Sequence, residues 1–347
     1  MVPLMLAVAS PPHPQAKPSL LRPRYEALAP AAQASGLHSA LGVVDHGLER
    51  AADSLPADLP FAQILMEHLG GSCGREIWMT DTPLLHGEDL GIRYAHSGDV
   101  MFGVMRADPG LLRQSTQDGY RAILNLIHKM HAGHLIRIWH YFPEINQDSS
   151  GLERYKQFCQ GRHEALSAGG FRLADDLPAA SAVGTAGGDL WLLFLAGTGR
   201  VQQIENPRQT SAFRYPPAYG PSSPAFSRAV RYTTDRQDLL FISGTASIVG
   251  HETIHPSDPA LQAVTTLDNL QALLHQVTQT DLAALGEQAS WKLFIRHPEH
   301  LPHVLMRLRT RLDPASPLLI LKGDICRSAL LLEIEGVIDL RALPGKS

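Results

Sequence analysis

The stretch PLLILKGDICRSALLLEIEGVIDL, residues 317–340, predicts two apolar strands joined by a segment that begins at Gly323. Two carboxylates, Glu333 and Glu335, interrupt the second apolar run. Residues i and i+2 of a strand share a face, so both acids should point in the same direction. The stretch therefore predicts a buried strand that carries a pair of carboxylates on one face.

An earlier segment repeats this order of features. PAASAVGTAGGDLWLLFLAGTG, residues 178–199, also contains two strand-like runs. Upstream of each pair of strand-like runs, a further predicted strand is followed by Pro-Glu and then by a helix. These segments are IRIWHYFPEI (136–145) and WKLFIRHPEHL (291–301). The pattern indicates two degenerate copies of one β/α unit, split near residue 200. The predicted fold class is α+β, with two related domains in which helices pack on one face of a sheet.

These features set the predicted domain boundaries. Residues 1–34 are rich in Pro and Ala and are expected to form a tail with room for one edge strand. Residues 35–200 are the predicted N-terminal domain. Residues 201–347 are the predicted C-terminal domain, which carries the two carboxylates.

Composition excludes several classes of protein. The chain has 347 residues, 44% hydrophobic and 18% charged, with a net charge of -4, so no basic excess indicates a nucleic-acid partner. No apolar run reaches the roughly 18 residues of a membrane span. The N-terminal MVPLMLAVAS lacks the basic start of a signal peptide, and three distant cysteines favour a reducing compartment. We therefore expect a cytoplasmic protein without a membrane partner.

Several blocks together resemble the chorismatase family. They are LIRIWHYFPEIN (135–146), GLERYKQFCQGRHEAL (151–166), ENPRQTSAFRYPPAYGPSSPAFSRA (205–229), LLFISGTASIVGHETIH (239–255) and DICRSALLLEIEG (324–336). The second half is also similar to the YjgF/RidA pattern, which implies YjgF/RidA-like domains. Chorismatases hydrolyse chorismate to pyruvate plus a dihydroxycyclohexadiene carboxylate or a hydroxybenzoate. The resemblance implies chorismate as the small-molecule substrate and no cofactor or metal.

The demanding step of that reaction is protonation of the enolpyruvyl methylene carbon, which needs an acid that is still protonated near neutral pH. Glu333 is flanked by Leu332 and Ile334, and an apolar setting raises the pKa of a carboxyl. From the residues alone, a structural glutamate paired with an arginine is the alternative. The resemblance implies that Glu333 is the general acid. It also associates Cys326 with formation of 3-hydroxybenzoate, whereas Glu335 is expected to be structural or a partner of Glu333.

Chorismate has two carboxylates, which arginine binds in a bidentate manner. The candidate arginines are Arg137, Arg154, Arg162, Arg208, Arg214 and Arg228. Arg162 and Arg228 are preferred because they lie inside the resembling blocks, although an ordinary surface position is the alternative for each arginine. Tyr215, in a Pro- and Gly-rich loop beside Tyr219, is expected to donate a hydrogen bond to the substrate. Gly244 and Ala246 are expected to let the substrate ring approach the backbone, with plain strand packing as the alternative.

The segment HETIH, His251 to His255, formally matches the His-Glu-x-x-His signature of zinc hydrolases. That chemistry needs a helical turn so that both imidazoles face one metal. Here Gly250 precedes the motif and Pro256 follows it, which disfavours a helix. His128, His131 and His134 recur every three residues and are expected to lie on the surface and end of a helix.

The leading hypothesis is a metal-free chorismatase that forms 3-hydroxybenzoate, with 4-hydroxybenzoate as a further product, and with its site in the cleft between or beside the two copies. The alternatives are formation of the diol, a zinc-dependent hydrolase using HETIH, and a non-catalytic RidA-like binder of small molecules. A fused pair of domains satisfies part of the interface of trimeric relatives internally, so we expect a monomer. Hydroxybenzoates are typical precursors of pigments, antibiotic starter units and quinones such as ubiquinone.

Overall fold

The computed structural model describes residues 20–26, 37–48, 55–71 and 74–343. The helices are α1 (Leu112–Lys129), α2 (Arg154–Ala168), α3 (Pro259–Leu274) and α4 (Leu301–Leu308). The strands are β1 (Arg22–Glu26), β2 (Ala40–His46), β3 (Phe61–Ile64), β4 (His68–Gly71), β5 (Arg75–Met79), β6 (Leu85–Asp89), β7 (Ile92–Ser97), β8 (Val100–Ala107), β9 (His134–Pro143), β10 (Asp148–Ser149), β11 (Leu152–Glu153), β12 (Ala179–Thr185), β13 (Leu190–Gly197), β14 (Arg200–Ile204), β15 (Ala229–Thr233), β16 (Asp238–Thr245), β17 (Ile248–Val249), β18 (Glu252–Thr253), β19 (Ala289–Ile295), β20 (Leu318–Lys322) and β21 (Leu332–Asp339).

The two halves of the chain have the same topology. One sheet has the order β12-β9-β13-β8-β7-β6, and the other has the equivalent order β20-β19-β21-β16-β15-β14 with β4 added at its edge. In each sheet the pair at one side, β12 with β9 and β20 with β19, is parallel. Along the chain, α1 follows β8, and α3 follows β16 after the short strands β17 and β18. Helix α2 connects the parallel strands β9 and β12, and α4 connects β19 and β20. The predicted α+β duplication is therefore confirmed.

The helices cover the outer faces of the two sheets, and the inner faces share a core. Buried side chains of α1 and α2 cluster with the first sheet, and those of α3 and α4 cluster with the second. A third cluster contains inward residues of both sheets, among them Trp139 and Phe241. Periodicity of 3.6 in the helices and 2 in the strands places each apolar set on one side, as the sequence predicts. In the described part of the chain, every helix is too short or too polar to cross a bilayer.

Residues before the first copy form a further sheet, and the one edge strand expected in residues 1–34 is present there as β1. Strands β1, β5, β2 and β3 make a separate four-stranded sheet, while β4 joins the second large sheet by pairing with β20. Strands of the predicted domain 35–200 thus belong to four sheets, one of them the two-stranded sheet of β10 and β11. Trp78 of β5 packs against Trp139 of the first copy and Phe241 of the second, with ring centroids 5.4 and 6.1 Å away. This contact joins the four-, six- and seven-stranded sheets in one core.

Strand β21 has two distinct faces. Leu332, Ile334 and Ile338 point toward the helices and join the outer core of the second copy. Glu333 and Glu335 point to the opposite side, toward the core between the sheets. The prediction that both acids share one face of a buried strand is confirmed, and this face leads to the pocket.

Candidate active site

A pocket with a volume of about 180 Å³ lies between the two copies. One wall comes from the start of α2, and another comes from the loop 215–226. The floor is formed by the end of β16 and the inner face of β21. The lining residues are Glu153, Tyr155, Lys156, Cys159, Tyr215, Ala218, Tyr219, Ser222, Pro224, Phe226, Arg228, Gly244, Ala246, Ile248, Cys326, Arg327, Ser328 and Glu333.

Glu333 is the buried acid of this pocket. Only 4% of its surface is exposed, and its Oε1 atom has no hydrogen-bond partner among the described residues. The pKa of Glu333 is raised to about 8, chiefly by burial and also by the negative charge of Glu335, against the opposing effect of Arg137 and Arg228. At neutral pH this carboxyl is therefore protonated and can give a proton to a bound molecule.

Gly244 makes room for this carboxyl. A Cβ atom built on Gly244 would lie 2.5 Å from the carboxyl carbon of Glu333 and 3.1 Å from its Oε2 atom. No side-chain carbon can occupy that position unless Glu333 moves. Gly244 and Ala246, which we predicted to let the substrate ring approach the backbone, both line the pocket.

Two guanidinium groups line the pocket. Arg228 donates from Nη2 to the Thr210 carbonyl at 2.8 Å and to the Tyr215 hydroxyl at 2.7 Å. Because that hydroxyl oxygen accepts from Arg228, its own proton is available to a ligand. Arg327 donates from Nη1 to the His251 carbonyl at 2.8 Å. Its guanidinium also lies 4.1 Å from the ring centroid of Tyr219, a cation–π contact.

Cys326 lines the pocket beside the acid. It is a free thiol, and its pKa is raised to about 12, chiefly by burial and also by the charge of Glu333. The thiol is therefore neutral at physiological pH. A second free thiol, Cys159, lines the same pocket from α2, and burial raises its pKa as well.

The other predicted arginines lie away from the pocket lining. Arg137 is buried and forms an ion pair with Glu335, with Nη2 2.7 Å from Oε2. Arg214 is exposed and stacks on Phe213, with its guanidinium 5.4 Å from the ring centroid. We predicted that both arginines contact substrate, but neither lines the pocket. Arg137 pairs with an internal carboxylate, and Arg214 points to solvent.

Three more candidate arginines also act within the fold. Arg162 is buried behind the pocket, with its guanidinium 4.9 Å from the ring centroid of Phe158 and its Nη2 3.7 Å from Cys159 Sγ. Arg154 donates from Nε to the Pro143 carbonyl at 3.1 Å, so it ties α2 to β9. Arg208 donates to the Asn269 side chain at 3.0 Å. Their predicted contact with substrate is not seen in the pocket lining.

The HETIH segment has no helical turn. Glu252 and Thr253 form β18, which pairs with β17, and His255 has a positive φ of 57°. His251 Nδ1 lies 3.1 Å from the Tyr219 hydroxyl. The two imidazoles therefore lack the one-turn spacing that this zinc motif requires. Within the described ranges, no group of three or more His, Cys, Asp or Glu side chains is arranged to hold a metal ion.

Sequence reasoning missed several lining residues. Arg327 directly follows Cys326 in a quoted motif, but nothing in its spacing shows that its side chain turns toward Tyr219. Tyr155 and Lys156 lie in the GLERYKQF block, directly after Arg154, which was the candidate in that block. Adjacency to Cys326 was the one available signal for Arg327.

A protonated carboxyl, two guanidinium groups and a tyrosine hydroxyl around one cavity define a site for acid catalysis on a small anionic molecule. Comparison with known proteins identifies the family. The family model described as chorismatase FkbO/Hyg5-like, N-terminal, matches residues 76–196. A 3-hydroxybenzoate synthase of Streptomyces hygroscopicus is 34% identical over 313 residues, covering 86% of this chain and 91% of that protein.

Further relatives extend the match over nearly the whole chain. A chorismatase of Streptomyces rapamycinicus is 34% identical over 325 residues, covering 91% of this chain and 97% of the relative. The crystal structure of a chorismatase superposes with a TM-score of 0.82 at 32% identity, covering 92% of this chain and 98% of that one. The chain belongs to the chorismatase family.

Proposed function

We propose that this protein hydrolyses the enolpyruvyl ether of chorismate and releases pyruvate and 3-hydroxybenzoate. The observation that carries the proposal is the position of Glu333, a buried carboxyl with an unpartnered oxygen at the floor of a pocket lined by Arg228 and Arg327. The names of the relatives, 3-hydroxybenzoate synthase and chorismatase, support the choice of substrate.

In the proposed reaction, Glu333 transfers its proton to the methylene carbon of the enolpyruvyl group. The oxocarbenium ion that results takes up water and collapses to pyruvate and a ring alcohol. A positioned general acid contributes roughly 10²- to 10⁴-fold to such a step. The Glu333 carboxylate left behind faces Arg137 and Arg228, whose charges lower its pKa and so favour the ionised product of the transfer.

Recognition of the substrate is assigned to the cationic side of the pocket. Arg228 and Arg327 are proposed to bind the two carboxylates of chorismate, and Tyr215 to donate a hydrogen bond from its free proton. Both guanidinium groups are already fixed by backbone carbonyls, through Thr210 and His251, so little side-chain entropy is lost on binding.

Product choice is assigned to Cys326. Pyruvate plus 3-hydroxybenzoate contains the atoms of chorismate, so the water taken up in hydrolysis must leave the ring again. The diol product keeps that water. A neutral thiol beside the acid is proposed to favour the aromatic product, and 4-hydroxybenzoate is the expected minor product.

Incubation with chorismate tests the proposal. Pyruvate is followed with a coupled dehydrogenase, and the ring products are separated by chromatography. Saturable binding without pyruvate release would instead identify a RidA-like binding module. Loss of turnover on treatment with a chelator, restored by zinc, would favour the HETIH hydrolase.

Two properties of the molecule complete the proposal. We propose a monomer, because the two copies pack their sheets together within one chain. We also propose a cytoplasmic location, since Cys159 and Cys326 are free thiols. Light scattering of the purified protein tests the first property, and a mass above one chain would contradict it. Fractionation of the source cells tests the second.

A further inference from the structure

A cluster of buried charges lies directly behind the pocket, next to Glu333 on the inner face of β21. Glu335 Oε2 accepts a hydrogen bond from Arg137 Nη2 at 2.7 Å. Its Oε1 forms an ion pair with Lys292 Nζ at 2.6 Å and accepts from Trp139 Nε1 at 3.0 Å. Lys292 also donates to Glu76 Oε2 at 2.9 Å. All four charged groups are buried, so solvent screens these contacts very little.

The duplication explains how two cations meet one carboxylate. Arg137 and Lys292 each stand six residues before the Pro-Glu of their copy. In the second copy, Lys292 is opposite Glu335 on the neighbouring strand, and in the first copy Arg137 is opposite Leu195. Leucine thus stands in the first copy where the second has Glu335. The equivalent cations of the two copies, Arg137 and Lys292, therefore both pair with Glu335.

The charges of this cluster balance without Glu333. Arg137 and Lys292 supply two positive charges, and Glu335 and Glu76 supply two negative ones. Glu333, two residues from Glu335 on the same face, makes no ion pair and leaves Oε1 unpartnered among the described residues. A second negative charge beside Glu335 would have no ion-pair partner within the cluster and would face a like charge in a buried site, which is costly.

We propose that Glu335 is a positioning residue that keeps Glu333 protonated, because it engages both buried cations and places its own negative charge beside the acid. The inference rests on the proposed role of Glu333 as proton donor and adds the device that prepares it. The Glu335 carboxylate itself contacts internal side chains and is not part of the pocket lining.

The groups that face the pair from neighbouring elements are consistent with this role. They are Arg137 and Tyr141 on β9, Lys292 on β19, Glu76 on β5, His46 on β2, Arg228 before β15 and Cys326 before β21, while Glu205 after β14 interacts with Arg228. Burial would raise the pKa of Glu335, but Lys292 and Arg137 hold it below its ordinary value. Burial lowers the pKa of His46, so that imidazole adds no charge at neutral pH.

Infrared titration of the protonated carboxyl band tests the proposal on the full-length protein without substrate. The band of Glu333 is identified by its absence in Glu333→Gln. In Glu335→Gln, the titration midpoint should move down by about one pH unit or more, because a like charge is lost and the cations are left in excess. The alkaline limb of kcat/KM should move down equally, so that activity lost at pH 8 returns at lower pH.

Two further variants keep the test decisive. Glu76→Gln makes the same chemical change at the far end of the cluster and should move the midpoint less, whereas an equal movement would overturn the assignment to Glu335. Arg137→Met removes a cation and should move the midpoint upward, which tests the idea even if Glu335→Gln does not fold. An unchanged midpoint in Glu335→Gln, with activity lost at every pH, would show a merely structural role. Absence of pyruvate release by the wild type would refute the proposed function but leave this titration valid.

Discussion

Replacing Glu333 with glutamine keeps the size of the side chain and removes the proton that it donates. If Glu333 is the general acid, turnover of chorismate should fall by roughly 10²- to 10⁴-fold. The wild type should also show a characteristic pH profile. Since burial raises the pKa of Glu333 to about 8, activity should be level near neutral pH and fall about tenfold per pH unit above 8.

The same substitution should stabilise the fold. The carboxyl binds a proton up to about pH 8 in the folded state, but only up to about 4.5 when unfolded. Between these values the folded state carries the extra proton, so wild-type stability falls as pH rises, by about 1.4 kcal/mol per pH unit. Glutamine does not ionise. The free energy of unfolding of Glu333→Gln should therefore exceed that of the wild type by a margin that grows to roughly 5 kcal/mol, an upper bound, by pH 8.

The assays are steady-state pyruvate release from pH 5 to 10 and urea unfolding at pH 5 and pH 8. Glu252→Gln is the matched control, because it makes the same change at an exposed glutamate and should keep normal turnover and stability. Near-normal turnover by Glu333→Gln would refute the general-acid assignment. A stability difference that does not grow with pH would refute the protonated state.

Other substitutions test the rest of the pocket. Gly244→Ala should lower kcat at least tenfold with the fold intact by circular dichroism, because the new methyl group displaces the Glu333 carboxyl. Arg228→Met and Arg327→Met should each raise KM for chorismate about 10-fold or more, since a charge-assisted bond is worth about 1.5–3 kcal/mol; an unchanged KM would remove that arginine from substrate binding. Cys326→Ala should shift the products away from 3-hydroxybenzoate, as measured by chromatography, and an unchanged ratio would contradict its role.

The local sequence pattern was sufficient to predict the duplicated unit of strands and helices and to single out Glu333 as the candidate acid. The apolar run around Glu333 predicts a buried strand, and alternation predicts that Glu335 shares its face, because the side-chain period of a strand is two. The repeated Pro-Glu after a strand revealed the duplication, which the equivalent sheet orders confirm. The apolar neighbours of Glu333 also indicate its raised pKa, since desolvation by residues adjacent in sequence is a local effect.

Contacts between distant segments were decided only by the tertiary structure. Arg137 and Arg228 look alike in sequence, but one pairs with Glu335 198 residues away and the other lines the pocket. Lys292 meets Glu76 of strand β5 across 216 residues, in a different sheet. The sequence by itself therefore determined the strand, the duplicated α+β unit and the candidate acid. The tertiary structure alone decided which cation faces which carboxylate, because charge pairing depends on distances of a few ångströms between strands of different sheets.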